Sequence, residues 1–240
     1  MEVKNRLLNF DNMVIYQNND WFLFSLDSVL LANFVNINLN DKKIIDFCTG
    51  NAPVPMFLSF KTKNKIIGVE LQKEIYDLAV KSIKENNLSD RINILNEDVK
   101  SLVNMFDGDS FDIITCNPPY FRTDNKDLLN DNNIKTIARH EVKLNLDDIF
   151  RTAKYLLKNG KKIVMVHRPD RLIEIIDIMK KYGFEPKRMK LCYPKVGEDA
   201  NILLIEAIKN GKSGLKIESP LIVHNEDGSY VDEIRKMFEE

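Results

Sequence analysis

Short apolar runs alternate with longer amphipathic ones along this chain, and the alternation predicts its elements. Lys43-Ile44-Ile45-Asp46-Phe47-Cys48, Lys65-Ile66-Ile67-Gly68-Val69-Glu70, Arg91-Ile92-Asn93-Ile94-Leu95-Asn96, Phe111-Asp112-Ile113-Ile114-Thr115-Cys116 and Lys162-Ile163-Val164-Met165-Val166-His167 read as buried strands. Between the second and third, a helix over about 72–86 places Leu71, Ile75, Leu78, Ala79 and Ile83 on one face. Leu146 to Leu157 predicts a helix that stops at Asn159-Gly160, and Arg171 to Tyr182 another that stops at Gly183. Pro53 suits the start of a helix through Val54-Pro55-Met56-Phe57-Leu58. Ser25-Leu26-Asp27-Ser28 offers caps for the apolar run Val29 to Val35. Lys187 to Tyr193 and Asn201 to Ile208 predict a final strand pair, and a short helix starts at about 231. Residues 1–24, with Phe10, Tyr16, Trp21, Phe22 and Phe24, are poorly periodic and read as short strands or a covering segment. Residues 121–140 are polar and almost aperiodic, which predicts a long loop beside a site.

Strands separated by helices at this spacing make a doubly wound α/β fold with a mostly parallel, seven-stranded sheet. The expected organisation is one domain over 1–240, with a covering segment at 1–40, a core at 41–210 and a tail at 211–240. In such sheets ligands bind outside the carboxyl ends of the strands, where strand order reverses. The polar clusters of this sequence sit at those ends.

Asn117-Pro118-Pro119-Tyr120 follows the fourth strand. The prolines stop pairing. They leave an amide, rigid backbone carbonyls and an aromatic ring at the strand's tip, which is what a planar amino group needs: two acceptors for its N–H bonds and a face to stack on. At the first tip, Asp46 to Pro53 is a tight turn into a helix N-terminus, able to bring backbone N–H groups to an anion. Glu70 at the second tip suits a ribose diol, and Asp98 at the third suits an adenine amino group. Taken in order, the set describes a pocket for an adenosine-containing cofactor.

Composition narrows the class further. Cys48, Cys116 and Cys192 are scattered without CxxC spacing, which points to a reduced, cytoplasmic compartment. No apolar run approaches a membrane span, and His140, His167 and His224 lack ligand-like spacing, so neither a membrane nor a metal partner is expected. The formal charge of −1 hides a segregation: residues 151–195 hold 13 basic against 4 acidic side chains, flanked by acidic stretches. A local basic block is the footprint of a polyanion-binding protein, and solvated helix faces give the same count.

On these residues the chain resembles the class I S-adenosylmethionine-dependent methyltransferases that carry an [N/D]-P-P-[Y/F/W] motif, and within them the tRNA1(Val) (adenine-N6)-methyltransferase family. The resemblance runs through Phe24 to Ala32, Asp46 to Ala52, Asn117 to Tyr120, Ala138-Arg139-His140-Glu141 and Asp227-Gly228-Ser229-Tyr230. It implies a Rossmann-like core, S-adenosyl-L-methionine as cofactor, and methylation of the exocyclic N6 of an adenine beside the anticodon. It places Asp46, Cys48, Gly50, Asn51, Glu70, Asp98 and Asn117 around the cofactor. Asn117, Pro118, Pro119 and Tyr120 are the implied catalytic set, and Tyr120, Arg139, His140 and Arg168 meet the substrate. The implied partner is the anticodon loop of a tRNA, held by a monomer or weak dimer through basic residues between Lys154 and Lys190. One departure stands out: where the family's loop resembles D-x-G-x-G-x-G, this chain has Cys48 and Ala52 in place of two glycines. Two other readings stay open, a glutamine-N5 methyltransferase acting on a protein and a non-catalytic RNA-binding relative.

Overall fold

The computed structural model describes residues 1–7, 13–21, 25–120, 141 and 143–238. Strands β1 (Glu2–Arg6) and β2 (Val14–Asn18) form an antiparallel hairpin ahead of helix α1 (Leu26–Phe34). Then follow β3 (Ile44–Phe47), α2 (Pro53–Lys61), β4 (Ile66–Glu70), α3 (Lys73–Glu85), β5 (Ile92–Asn96), a 3-10 turn at Val99–Asn104 and β6 (Phe111–Cys116). After Glu141 come α4 (Leu146–Leu156), β7 (Leu157–His167), a 3-10 turn at Pro169–Arg171, α5 (Leu172–Lys181), β8 (Phe184–Tyr193) and β9 (Ile202–Lys209). Two-residue strands β10 (Lys216–Ile217) and β11 (Leu221–Ile222) and helix α6 (Asp232–Met237) end the described chain.

The main sheet has the order β10-β8-β9-β7-β6-β3-β4-β5, with β11 also on β8. From β5 to β7 every pairing is parallel, and β9 runs antiparallel between β7 and β8. This is the expected seven-stranded doubly wound core, with β10 and β11 added at the β8 edge. Strand order reverses between β3 and β6, so a crevice opens at their carboxyl ends.

Helices cover both faces because successive strand residues alternate sides. Ile44, Ile113, Val164 and Leu204 join the cluster containing Val29, Leu31, Met56 and Ile83. Their neighbours Ile45, Ile114, Met165 and Ile205 join the other, with Leu102, Phe150, Ala153 and Ile175. The α3 stripe predicted from the sequence is buried at Ile75, Leu78, Ala79 and Ile83, whereas Leu71 lies outside the helix and is exposed. Each fully buried side chain of this size stabilises the fold by about 1.5–3 kcal/mol.

A further departure from the sequence reading has a local cause. The helix expected to stop at Asn159-Gly160 ends at Leu156, and the chain enters β7 directly. Gly160 has φ +74° inside an irregular stretch where the β6 register passes from Phe111↔Leu157 to Ile113↔Lys162. The lead-in, read from the sequence as short strands or a covering segment, is a hairpin docked on α3: Tyr16 N donates to Ser82 Oγ at 2.9 Å, Val14 N to Asn86 Oδ1 at 2.9 Å, and Asn86 Nδ2 returns a bond to Val14 O at 2.7 Å. Side chains of a helix thereby pair backbone groups of β2. The long loop predicted at 121–140 lies outside the described residues, as do Arg139 and His140.

Candidate active site

A cavity of about 420 Å³ opens at the β3/β6 switch point. Its wall gathers Cys48, Gly50, Asn51, Glu70, Asp98 and all four residues from Asn117 to Tyr120. Apolar side chains Val54, Val69, Leu71, Ile75, Val99 and Leu144 line the rest, a surface suited to a purine and its sugar.

Asp46 is the exception among the expected cofactor residues, because it does not reach the cavity wall. It lies within the sheet, 1% exposed. The β3 and β6 registers set Asp46 beside Thr115, whose hydroxyl donates to Oδ1 at 2.5 Å, while the Thr49 hydroxyl donates to Oδ2 at 2.6 Å. Asp46 therefore ties the loop to β6 and leaves ligand contact to its neighbours. Burial pushes its carboxyl up to about 7 against the pull of those two hydroxyls.

The loop after β3 turns through three left-handed residues, at the positions where the family motif has glycine: Cys48 (φ +56°), Gly50 (φ +57°) and Ala52 (φ +70°). This conformation lets Gly50 N donate to Glu70 Oε2 at 3.0 Å. Gln72 N holds the other oxygen, Oε1, at 2.8 Å. Burial pushes the Glu70 carboxyl up to about 7 even so. A Cβ added at Gly50 would meet nothing within 4 Å. Asn51 joins the loop to the N-terminal hairpin, its Nδ2 donating to Tyr16 O at 3.1 Å. Asp98 caps the 3-10 turn, accepting from Lys100 N at 2.8 Å, with Lys100 Nζ 3.3 Å from its second oxygen.

At the tip of β6, Asn117 Nδ2 donates to Ser28 Oγ at 3.3 Å, and its Oδ1 accepts from the Tyr120 hydroxyl. The same hydroxyl lies 2.9 Å from Asp27 Oδ2. Burial, followed by the Asp27 charge, raises the Tyr120 phenol well above its usual range. Below it, the rings of Tyr120 and His167 are 5.2 Å apart at 59°. His167 Nδ1 accepts from Arg168 N at 2.8 Å, and burial with the Arg171 charge lowers its pKa to about 4, so the imidazole is neutral. Arg171 Nη1 donates to the Tyr120 carbonyl at 3.0 Å while its other nitrogens hold Glu174 (2.6 and 2.9 Å) and Glu141 (3.1 Å).

Sequence reasoning missed Asp27, Ser28, Thr49, Thr115, His167 and Arg171 as parts of this site. Ser28 and Asp27 stood out as cap candidates and within the family-like stretch Phe24 to Ala32, with no role in the site; the N-cap is Ser25, whose side chain makes no cap bond. Much of the basic block is paired within the chain. Lys158 pairs with Asp112, Lys162 with Glu206, Lys180 with Glu185, Lys181 with Asp147, Arg188 with Glu206 and Glu218, and Lys190 with Glu218. Lys154 bonds Asn210 Oδ1, and Lys187 bonds backbone carbonyls. Arg168 stands half-buried beside Tyr120, outside the cavity wall. Among the described residues no group of three or more His, Cys, Asp or Glu side chains gathers as metal ligands do. None of the described helices is long and apolar enough to cross a membrane.

The strand order and the polar set at the strand ends define a class I methyltransferase fold. The chain belongs to the methyltransferase small domain family, whose model matches residues 25–182. It is similar to the tRNA1(Val) (adenine(37)-N6)-methyltransferase of Aliivibrio salmonicida, 24% identical over 205 residues, which are 85% of this chain and 84% of that protein. Among solved structures it is similar to a predicted O-methyltransferase from Agrobacterium tumefaciens (TM-score 0.70, 23% identity, 88% and 95% coverage). It is also similar to geranyl diphosphate C-methyltransferase from Streptomyces coelicolor, a complex with Mg2+, geranyl diphosphate and S-adenosyl-L-homocysteine (TM-score 0.56, 12% identity, 76% and 79% coverage).

Proposed function

We propose that this methyltransferase transfers a methyl group from S-adenosyl-L-methionine to the exocyclic N6 of an adenine in RNA, with the adenine beside the anticodon of tRNA1(Val) as target. The observation that carries the reading is the placement of Asn117-Pro118-Pro119-Tyr120 on the wall of the cavity that Glu70 and the Gly50 loop also line. The curated relative named above, similar over most of both chains, supports the tRNA substrate.

The cavity fits the cofactor. Glu70 holds two carboxylate oxygens at the β4 tip for a ribose diol, Asp98 stands at the β5 end for an adenine amino group, and the apolar side chains between them accept the base. Bound there, S-adenosylmethionine supplies a methyl on a sulfonium with a good leaving group. The chain supplies proximity and alignment. Asn117 Oδ1 and the Pro118 carbonyl accept the two amino hydrogens of the target adenine and aim the nitrogen lone pair at the methyl. The Tyr120 ring supports the base. The proton leaves the nitrogen after transfer, so a strong base at the site is unnecessary. A base within a stacked helix cannot enter such a pocket, whereas an unstacked loop nucleotide enters at low cost. Arg168, Arg139 and His140 contact the RNA in this reading.

The test incubates purified protein and labelled S-adenosylmethionine with total tRNA or total protein from methylase-deficient cells, with Asn117→Ala alongside. The expected result is label in tRNA, recovered as N6-methyladenosine and lost in the variant. Label in protein moves the target to a glutamine amide. Absence of label together with absence of cofactor binding refutes the enzymatic reading.

A further inference from the structure

The first turn of α1 stands against the Asn117–Tyr120 turn from 93 residues away in sequence. Two side chains make the contact. Ser28, 3% exposed, accepts from Asn117 Nδ2 at 3.3 Å, and Asp27 Oδ2 lies 2.9 Å from the Tyr120 hydroxyl.

Counting hydrogens gives this arrangement a consequence. Tyr120 has one hydroxyl hydrogen, and that hydroxyl faces two acceptors, Asn117 Oδ1 and Asp27 Oδ2. An ionised carboxylate is the stronger acceptor, since charge-assisted hydrogen bonds are about twice as strong as neutral ones. The structure holds the hydroxyl on Asn117 Oδ1, closer than on Asp27 Oδ2; turning its hydrogen to Asp27 leaves the amide oxygen without a donor from the tyrosine and ready for one from a ligand. Ser28 meanwhile holds Nδ2, opposing the half-turn of the amide that would present N–H groups in place of the oxygen. Without the Asp27 charge, the hydroxyl lacks a strong second acceptor and keeps its hydrogen on Asn117, occupying the acceptor that an incoming amino group needs.

We infer that Asp27 is a positioning residue for methyl transfer: it offers the Tyr120 hydroxyl hydrogen a second acceptor, so that the Asn117 amide oxygen is released to the substrate amino group when that group arrives. This rests on the function proposed above. Asp27 touches neither cofactor nor substrate and acts through Tyr120. His167 supports the ring of Tyr120 from below and Arg171 its carbonyl, so the hydroxyl is the part of this residue left to be directed.

The test is a double-variant cycle on the full chain with single-turnover and steady-state methylation of tRNA. Asp27→Asn keeps size and shape while removing the charge. Its kcat is expected to fall about tenfold or more, the order expected for losing a charge-assisted bond. Cofactor affinity and the KM for S-adenosylmethionine should stay within about twofold, because the cofactor wall is untouched. In a Tyr120→Phe background there is no hydroxyl to direct, so Asp27→Asn should change kcat by less than about twofold. A purely structural Asp27 would give the same loss in both backgrounds. A kcat for Asp27→Asn within twofold of wild type, or equal losses in the two backgrounds, overturns the inference. A wild type that methylates no RNA refutes the function instead. In that case the network is read by 15N-asparagine NMR. The Asn117 side-chain amide signals, assigned by their loss in Asn117→Ala, should move on Asp27→Asn and stay fixed when the same change is made in Tyr120→Phe. Unmoved signals in the wild-type background overturn the inference.

Discussion

Replacing Cys48 by glycine and, separately, by alanine probes the cofactor loop with an outcome whose sign follows from one dihedral angle. Cys48 has φ +56°. A residue carrying Cβ pays about 1–2 kcal/mol for that conformation. Glycine releases the strain, and its greater freedom in the unfolded chain takes back about 0.5–1 kcal/mol. Alanine keeps Cβ and therefore the strain. Both variants lose the same thiol and its contact with Cys116, so that contribution cancels between them. The glycine variant should exceed the alanine variant by about 0.5–1 kcal/mol. For a chain of this size each kcal/mol moves Tm by about 2–4 °C, so the separation is about 1–4 °C. Val80, exposed in the middle of α3, serves as the control. There the order reverses, with glycine about 1 kcal/mol below alanine. The assay is thermal unfolding followed by circular dichroism at one scan rate, repeated in urea. Alanine matching or exceeding glycine at position 48, with the ordinary order at position 80, would falsify the claim that the loop is strained at Cys48.

Glu70 and Asp46 share a pH window. Each has a carboxyl near 7 in the fold against an ordinary value near 4, so the fold favours the protonated form. The stability they contribute is full below about pH 4 and is lost as pH rises through 7. Glu70→Gln should flatten the decline of Tm between pH 4.5 and 7 in part, leaving the share due to Asp46; an unchanged slope refutes the assignment. In the proposed function ionised Glu70 accepts from the ribose diol, so cofactor affinity should rise through about pH 7 in wild type and lose that rise in Glu70→Gln, as isothermal titration would show. Arg171→Met strips a buried guanidinium from Glu141, Glu174 and the Tyr120 carbonyl. It should cost about 3 kcal/mol in urea unfolding, because breaking a buried pair leaves charge uncompensated. A loss below about 1 kcal/mol would show that the pair does not hold the turn.

The strand tips were the legible part of this molecule. Runs such as Ile44 to Phe47 and Phe111 to Cys116 are apolar on both faces, as strands covered by helices on each side must be, and a polar residue after each run marks the end where ligands bind. Glu70 and Asn117 could be read in that way. Asp46 could not: its carboxylate points between strands, and only the β3/β6 register reveals Thr115 as its partner. Asp27 was hidden for a similar reason, since its partner lies on another element and an acidic residue in a first helical turn already has a local explanation. The lead-in could be read only as short strands or a covering segment, without its pairing, because strands of five residues, one of them mostly exposed, carry little periodicity. Side chains of Ser82 and Asn86, which look like ordinary polar positions of α3, complete its bonding.

The pairing of the basic block changes how this protein should behave toward polyanions. A lysine already neutralised by a carboxylate of its own chain displaces few counterions when a phosphate approaches. Each phosphate neutralised by an unpaired cation steepens the salt dependence of binding by roughly 0.7–0.9 in log–log slope. With Lys158, Lys180, Lys181, Arg188 and Lys190 all engaged internally, the slope for RNA should be shallow and capture by arbitrary nucleic acid weak. In the proposed function, selectivity then falls to the fit of one unstacked base in the cavity. If tRNA is the substrate, as proposed, a chain with a formal charge of −1 can in this way search a pool of it without being held by most of it.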